Sequence, residues 1–463
     1  MKILESIHAK LGDLWWYTLL LFVAQRFGDV INMFVGLWLV PKYVPQEELG
    51  AVLPLAQAVS VIGLPLGILA IPFMKFLDVY NSRGEDGKVK SLLRDVFIGT
   101  GVLSLVTLLL AWLVLPFFFE RMRVATGMLG VLVVLGSLLT AVATIFGNAV
   151  QGLKLYGTTV WFNLLGAPLR LGTMLVMMPF RALSGYFAGQ CAPPAVSIVG
   201  SIWALRKRMG RTVKALSYWR DDHVAIIRYA LPIAVWTIAG SLTCTIESLV
   251  IRHRLSDFES AGYYVITRFT DIASYLGSSF IVFLFPMVAG LSAADSRSRR
   301  ILVHSLLGTA GGGLLVGFVL QFFGDWLLGL SPLWVPYRSL ANMMLPICVL
   351  NVMSLSCSCF ATYEMAQGRF GFFCYVLPLV LLKSAFLYAL TGFDFFSGFL
   401  PSRWLDVVHA WNPCRLSFVV YFLIGAHVVV IACIVLFEIV RRRVSPMAGL
   451  RQTVEEVLDN ANE

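Results

Sequence analysis

The chain has 463 residues, 58% of them hydrophobic and only 13% charged, with a formal net charge of +10 and a mean hydropathy of +0.81. Water-soluble proteins carry about 25% charged residues, so this composition excludes a set of ordinary soluble domains and makes hydrocarbon the solvent for much of the surface. Nor does the positive charge describe a nucleic-acid-binding face: the basic residues fall in short loops between apolar stretches, where they set membrane topology.

In chain order, residues 1–13 mix Lys2, Glu5, Lys10 and Asp13 with apolar residues and offer no small-residue cleavage site, which reads as a cytoplasmic amphipathic lead-in. Apolar stretches long enough to cross a roughly 30 Å hydrocarbon core then recur along the whole chain. The first six run from Leu14 to Val40, Leu49 to Met74, Val96 to Phe118, Ala125 to Gly152, Thr158 to Phe180 and Leu183 to Leu205. After a polar stretch, Arg206 to Asp222, a second six run from Ile226 to Ile251, Ala261 to Leu291, Ile301 to Leu328, Leu340 to Met365, Phe370 to Leu390 and Leu416 to Val440. The expectation is an all-α polytopic membrane protein of about twelve transmembrane helices in two pseudo-symmetric six-helix lobes around a central cavity. Residues 1–205 would form the N-terminal lobe, 206–225 a basic cytoplasmic linker, 226–441 the C-terminal lobe and 442–463 a cytoplasmic tail.

Four basic clusters fall on one side under this count: Arg83 to Arg94, Arg206 to Arg220, Arg297 to Arg300 and Arg441 to Arg443. The other side has scattered charges such as Lys42, Arg121, Arg252 and Arg338. The positive-inside bias therefore places both termini in the cytoplasm. The halves also echo each other. An acidic cap followed by Gly opens the second helix (Gln46 to Gly50) and the eighth (Asp257 to Gly262), and Gln151-Gly152 ends the fourth as Gln367-Gly368 ends the tenth. Repeated halves that rock about a shared site are a common transporter design.

Ionisable residues inside the spans carry the most functional information, because each costs a few kcal/mol unless it meets a partner or water. The first helix carries Arg26 and Asp29, and the eighth repeats the spacing with Arg268 and Asp271. Residues three apart share a helix face, so each couple can pair internally, or the arginines can face a cavity and meet an anion with the aspartates positioning them. Arg170 in the fifth helix and Lys383 in the eleventh occupy related places, and either could instead snorkel toward an interface. Glu247, well inside the seventh helix, could carry a coupling proton or ion, or neutralise an arginine.

Enzyme and cofactor signatures do not emerge. The six histidines are scattered, without the spacing of a helix-borne zinc site, and there is no phosphate-binding loop of the Gly-x-x-x-x-Gly-Lys-Ser/Thr kind. The eight cysteines lie mostly inside apolar runs and read as small buried hydrophobes. Gly311-Gly312-Gly313 lies in an apolar helix and reads as a close-packing point. No cofactor is expected.

The order of several short motifs adds a family reading. Glu48-Leu49-Gly50, Gln151-Gly152 with Lys154 and Tyr156, Arg228-Tyr229-Ala230-Leu231-Pro232, Ala261-Gly262-Tyr263-Tyr264 and Phe285-Pro286 together resemble the polysaccharide branch of the multidrug, oligosaccharidyl-lipid and polysaccharide exporter superfamily, which includes O-antigen flippases. The resemblance implies two six-helix lobes enclosing a V-shaped cavity that opens alternately to cytoplasm and periplasm. It further implies a polyprenyl-diphosphate-linked oligosaccharide as cargo, a bacterial inner membrane as location, membrane lipids as surroundings and enzymes of the glycan pathway as candidate partners. Cavity-facing arginines in the first and eighth helices are part of the same implication. Two alternatives stand beside it. One is a drug or small-molecule exporter of the same superfamily, which would want cavity carboxylates. The other is a membrane-embedded glycan-pathway enzyme, for which the loop from Thr391 to Arg415, with Asp394, Arg403, Asp406 and His409, is short.

Overall fold

The structure, a computed structural model, describes residues 20–125, 127–209, 220–289, 296–391 and 415–460. The lead-in at residues 1–13, most of the 206–222 linker and the charged loop carrying Asp394, Arg403, Asp406 and His409 lie outside the described residues. The described residues form helices α1 (Leu20–Tyr43), α2 (Gln46–Gly67, continuing after a break as Ala70–Ser82), α3 (Asp86–Met122) and α4 (Gly127–Gly152). Next comes an antiparallel pair, α5 (156–180) and α6 (182–209), in which Arg181 has non-helical dihedrals (φ −148°, ψ 57°) and reverses the chain. Gly185 lies back against Met178, and Gly200 against the Phe162 ring, as an antiparallel pair requires. This turn falls where the apolar pattern breaks between Phe180 and Leu183.

The second half follows as α7 (Arg220–Arg254), α8 (Asp257–Ala289), α9 (Ser296–Gly329), a 3-10 segment (Val335–Met343), α10 (Met344–Ala366), α11 (Phe373–Thr391) and α12 (Leu416–Asn460). The twelve spans expected from the sequence thus each have a helix. Their outward faces are apolar, with Trp112 77%, Phe180 84% and Phe322 84% exposed. Backbone groups in hydrocarbon must be satisfied internally, and helices do so within one segment.

The two lobes meet most closely at the end of the bundle where α7 finishes and α8 begins. There one continuous apolar core takes residues from both halves, including Leu49, Phe119, Tyr264, Phe269 and Leu387. Toward the opposite end the core divides into a cluster inside the first lobe (Leu66, Phe73, Leu77, Ile145) and others inside the second (Phe360, Phe372, Phe373; Leu284, Val288). What joins the lobes at that end is the α2–α7 seam, where Lys75 lies over the Tyr229 ring at 3.6 Å and Phe76 meets the same ring edge-on.

One register expectation needs correction. The sequence aligns Gln151-Gly152 with Gln367-Gly368, but the matching turns are centred on Lys154 and Gly368. Both adopt left-handed backbone (φ 59° and 69°), and both close with the same pair of bonds: Lys154 N–H to Gln151 O with Leu155 N–H to Val150 O, and Gly368 N–H to Met365 O with Arg369 N–H to Glu364 O. This is a helix-terminating motif in which a left-handed residue lets two N–H groups reach back to the last carbonyls. The misalignment arose because Gly was the visible signal, whereas in the first lobe Lys154 adopts that conformation.

Candidate functional site

The charges predicted inside the membrane separate into two groups. The first lies where the lobes meet. Arg26 of α1 pairs with Asp29 at 3.0 Å, and its Nη1 donates to the carbonyl of Tyr275 on α8, across the interface. Arg268 of α8 pairs with Asp271 at 2.9 Å and lies 5.1 Å from the centre of the Tyr264 ring. Arg170, from α5, lies within electrostatic range of Arg268, Tyr186, Tyr264 and Tyr275. Three guanidinium groups and two carboxylates from α1, α5 and α8 therefore converge, leaving one positive charge in excess.

Local backbone structure makes room for this convergence. The segment Val35–Leu39 of α1 is π-helical, and Gly36 within it lies directly against Arg268: a Cβ there would come within 2.6 Å of Arg268 Cδ and 3.7 Å of the Tyr264 hydroxyl. A π-turn widens a helix by one residue and recurs at functional positions. Here it brings bare backbone against the aliphatic stem of Arg268.

The donors are not used up. Arg26 Nε and Nη2, Arg170 Nε and Arg268 Nε are buried without a hydrogen-bond acceptor among the described residues. Asp29 Oδ2 is likewise without a hydrogen-bond partner, so these four donors outnumber the one unmatched acceptor beside them, where buried polar groups in folded proteins are nearly always paired. Guanidinium groups present planar forks suited to carboxylate or phosphate oxygens.

The second group lies inside the C-terminal lobe. Lys383 of α11 pairs with Glu247 of α7 at 2.6 Å, and its Nζ is 3.5 Å from Nε2 of His427 on α12. The Lys383 side chain is 6% exposed. Neither it nor Arg170 snorkels to an interface. The reading of Arg170 and Lys383 as counterparts is nearly correct: counted from the Lys154 and Gly368 turns, Lys383 falls one residue short of the position matching Arg170. One residue rotates a side chain by about 100° around a helix. That rotation directs Arg170 to the interface between lobes and Lys383 into its own lobe. The partner of Glu247 is thus a lysine and not the arginine expected from the sequence.

Two features escaped the sequence reading. Arg252, placed there among scattered loop charges, is only 2% exposed. It donates to Met122 O at 3.2 Å, Glu47 O at 2.7 Å and Asp257 Oδ1 at 2.7 Å, tying α7, α3, α2 and α8 together where the shared core lies. Its position after the apolar run Leu249-Val250-Ile251 was the available signal. The second is a cavity of about 570 Å3 in the N-terminal lobe between α1, α4, α5 and α6, with Asp29 and Arg170 in its wall. Among the described residues, no group of three or more His, Cys, Asp and Glu side chains is placed to hold a metal ion.

Comparison with known proteins agrees with this architecture. Residues 70–292 match the family model described as polysaccharide biosynthesis protein. A multidrug resistance transporter of the MATE family and MOP superfamily, in an inward-facing conformation, superposes with a TM-score of 0.62 at 13% identity, covering 90% of this chain and 95% of that one. A MATE protein in a straight conformation gives 0.62 at 14% identity over 95% and 98% of the two chains. A MOP superfamily transporter from Pyrococcus furiosus, described as having a binding pocket of reversed polarity that suggests a different function, gives 0.59 at 13% identity over 95% and 98%. No curated protein matches the chain by sequence.

The fold is thus the two-lobe helical fold shared with these solved structures of MATE and MOP superfamily transporters. The family match, over residues 70–292, is to a polysaccharide biosynthesis protein, the same direction in which the turn motifs point.

Proposed function

We propose that this protein is a flippase that moves a polyprenyl-diphosphate-linked oligosaccharide from the cytoplasmic to the periplasmic leaflet of a bacterial inner membrane by alternating access. The observation that carries the reading is the convergence of Arg26, Arg170 and Arg268 from both lobes with donors left unmatched. A diphosphate held between them would receive charge-assisted bonds from both lobes, and Asp29 and Asp271 would hold the two outer arginines in place. A cluster with a cationic surplus favours an anionic cargo, and this separates the reading from a cation or drug exporter of the same fold. The reversed pocket polarity described for the Pyrococcus furiosus transporter, said there to suggest a different function, is a precedent for pocket charge varying within the fold.

The basic clusters orient the chain with both termini and the 206–225 linker in the cytoplasm. The end at which the lobes share one core is then periplasmic, and the divided end faces the leaflet where the cargo is built. A reporter fused at Lys214 should be active only in the cytoplasm; periplasmic activity would reverse the direction of transport.

The decisive test is complementation of surface glycan display in a deletion strain, read with membrane abundance. Arg26→Ala or Arg268→Ala should remove contacts worth about 1.5–3 kcal/mol to an anion and abolish display at normal abundance. Lysine should rescue only in part because it lacks the planar fork. Asp29→Asn and Asp271→Asn should do less harm if the acids only orient the arginines. Normal display with both arginines replaced by alanine would overturn the assignment.

A further inference from the structure

The N-terminal-lobe cavity has a chemistry of its own. Its volume of about 570 Å3 lies inside the roughly 300–1,000 Å3 range of small-molecule sites. Amides and hydroxyls dominate its polar lining: Gln25, Asn32, Asn148, Gln151 and Asn163, with Thr140, Thr144, Thr159 and Ser197. Asp29 and Arg170 are the charged residues in its wall, so it reaches the arginine cluster directly. Thr144 satisfies itself by donating to the Thr140 carbonyl. Thr159 Oγ1 and Arg170 Nε, both buried, have no hydrogen-bond partner among the described residues.

This lining does not suit the other parts of a lipid-linked cargo. A polyprenyl chain would leave each amide unpaired in contact with hydrocarbon, and a diphosphate would find a single cation beside a carboxylate. Amides and hydroxyls each offer both donors and acceptors, which is what a neutral, hydroxyl-bearing ligand requires. We infer that the cavity between α1, α4, α5 and α6 is a glycosyl subsite that holds the neutral sugar residues nearest the diphosphate, with Asn148, Gln151 and Asn163 selecting among sugars. The inference rests on the flippase reading, because it is the arginine cluster beside the cavity that places the diphosphate within reach of Arg170. The cavity belongs to one lobe and does not need the lobes to separate for it to exist, so the sugar can stay in place while the lobes rock.

The test uses the full chain in lipid nanodiscs and two probes: a polyprenyl diphosphate carrying a neutral disaccharide, and the same polyprenyl diphosphate without sugar. Binding is measured for the wild type, Asn148→Leu, Asn163→Leu and Gly147→Leu, the last of which fills the cavity without removing a polar group. The expected result is that the wild type binds the glycosylated probe at least about tenfold more tightly than the bare one, equal to about 1.4 kcal/mol. Each variant should bring that ratio close to one while the bare probe binds as before, which also shows that the variant is folded. A preference that survives all three substitutions overturns the subsite and leaves the flippase reading in place. Equal binding of both probes by the wild type does the same. Binding of neither probe overturns both.

Discussion

The pseudo-symmetry of the lobes sets α1, α5 and α6 against α7, α11 and α12, and the two triples of helices are filled in opposite ways. In the N-terminal lobe they line, together with α4, a cavity of amides and hydroxyls with a buried guanidinium donor unmatched at its edge. In the C-terminal lobe, Glu247, Lys383 and His427 close on one another at 2.6 and 3.5 Å, beside a cluster of Phe360, Phe372 and Phe373. The buried pair neutralises its own charge, whereas the cavity has room for a ligand beside donors that have no partner among the described residues. At these matching places one repeat is open and the other filled, although the same turn geometry at Lys154 and Gly368 sets the register of both.

The sharpest way to break this comparison is to open the filled repeat. Removing one partner of a buried ion pair leaves an uncompensated charge and costs about 3–5 kcal/mol. Glu247→Ala should lower the thermal unfolding temperature in detergent and the folded yield far more than any change in the cavity wall. Combining Glu247→Met with Lys383→Leu should recover most of that loss, since it replaces the pair by apolar side chains. A single variant as stable as the wild type would mean that the pair does not hold the lobe together. Recovery of stability without recovery of glycan display would give the pair a role in transport besides its structural one.

The seam between the lobes should be the next most sensitive region. Arg252 makes three bonds to groups on α3, α2 and α8, and hydrogen bonds to charged groups contribute about 1.5–3 kcal/mol. Arg252→Ala should destabilise by that order, and Arg252→Lys nearly as much, because one ammonium does not span the same three acceptors. Limited proteolysis of the loop between α3 and α4 provides the readout: it should become cleavable in both variants. Protection equal to the wild type would show that the tie is dispensable.

What the sequence made legible follows from local physics. Twelve spans could be read because hydrocarbon demands long apolar runs, and the couples Arg26–Asp29 and Arg268–Asp271 because a spacing of three fixes a shared helix face. The Glu247–Lys383 bond was not legible, since it joins helices distant in the chain whose rotation depends on a turn register visible only in the backbone. The amide cavity was hidden for a related reason. Asn148 and Asn163 are unremarkable alone, and only the packing of α4 against α5 gathers them. The π-turn at Val35–Leu39 leaves no mark in composition at all.

That π-turn gives a smaller, more selective test. In Gly36→Ala the new methyl would press on Arg268 Cδ. A long side chain yields by leaving its rotamer, at about 0.5–1.5 kcal/mol. Stability should fall only by that amount, but the guanidinium would move, so glycan display should drop well beyond what abundance explains. Display that simply tracks abundance would mean that the placement of Arg268 is not critical.

The smallest expected effect bears most directly on whether the cavity is open space. Gly147 lines the cavity, and a Cβ built there meets nothing within 4 Å. Gly313, on α9 of the C-terminal lobe, would drive its Cβ into Val352. Both residues sit inside helices, where Ala is favoured over Gly by about 0.8–1.0 kcal/mol. At Gly147 that gain is unopposed, so Gly147→Ala should raise the unfolding temperature slightly. At Gly313 it is outweighed by overpacking, which costs about 1–3 kcal/mol, so Gly313→Ala should lower it. Opposite signs for one substitution in the two lobes would express the contrast between an open repeat and a filled one. If Gly147→Ala also destabilises, the α1–α4–α5–α6 cavity is closed in the membrane, and the unmatched donors of Thr159 and Arg170 are satisfied from within the lobe.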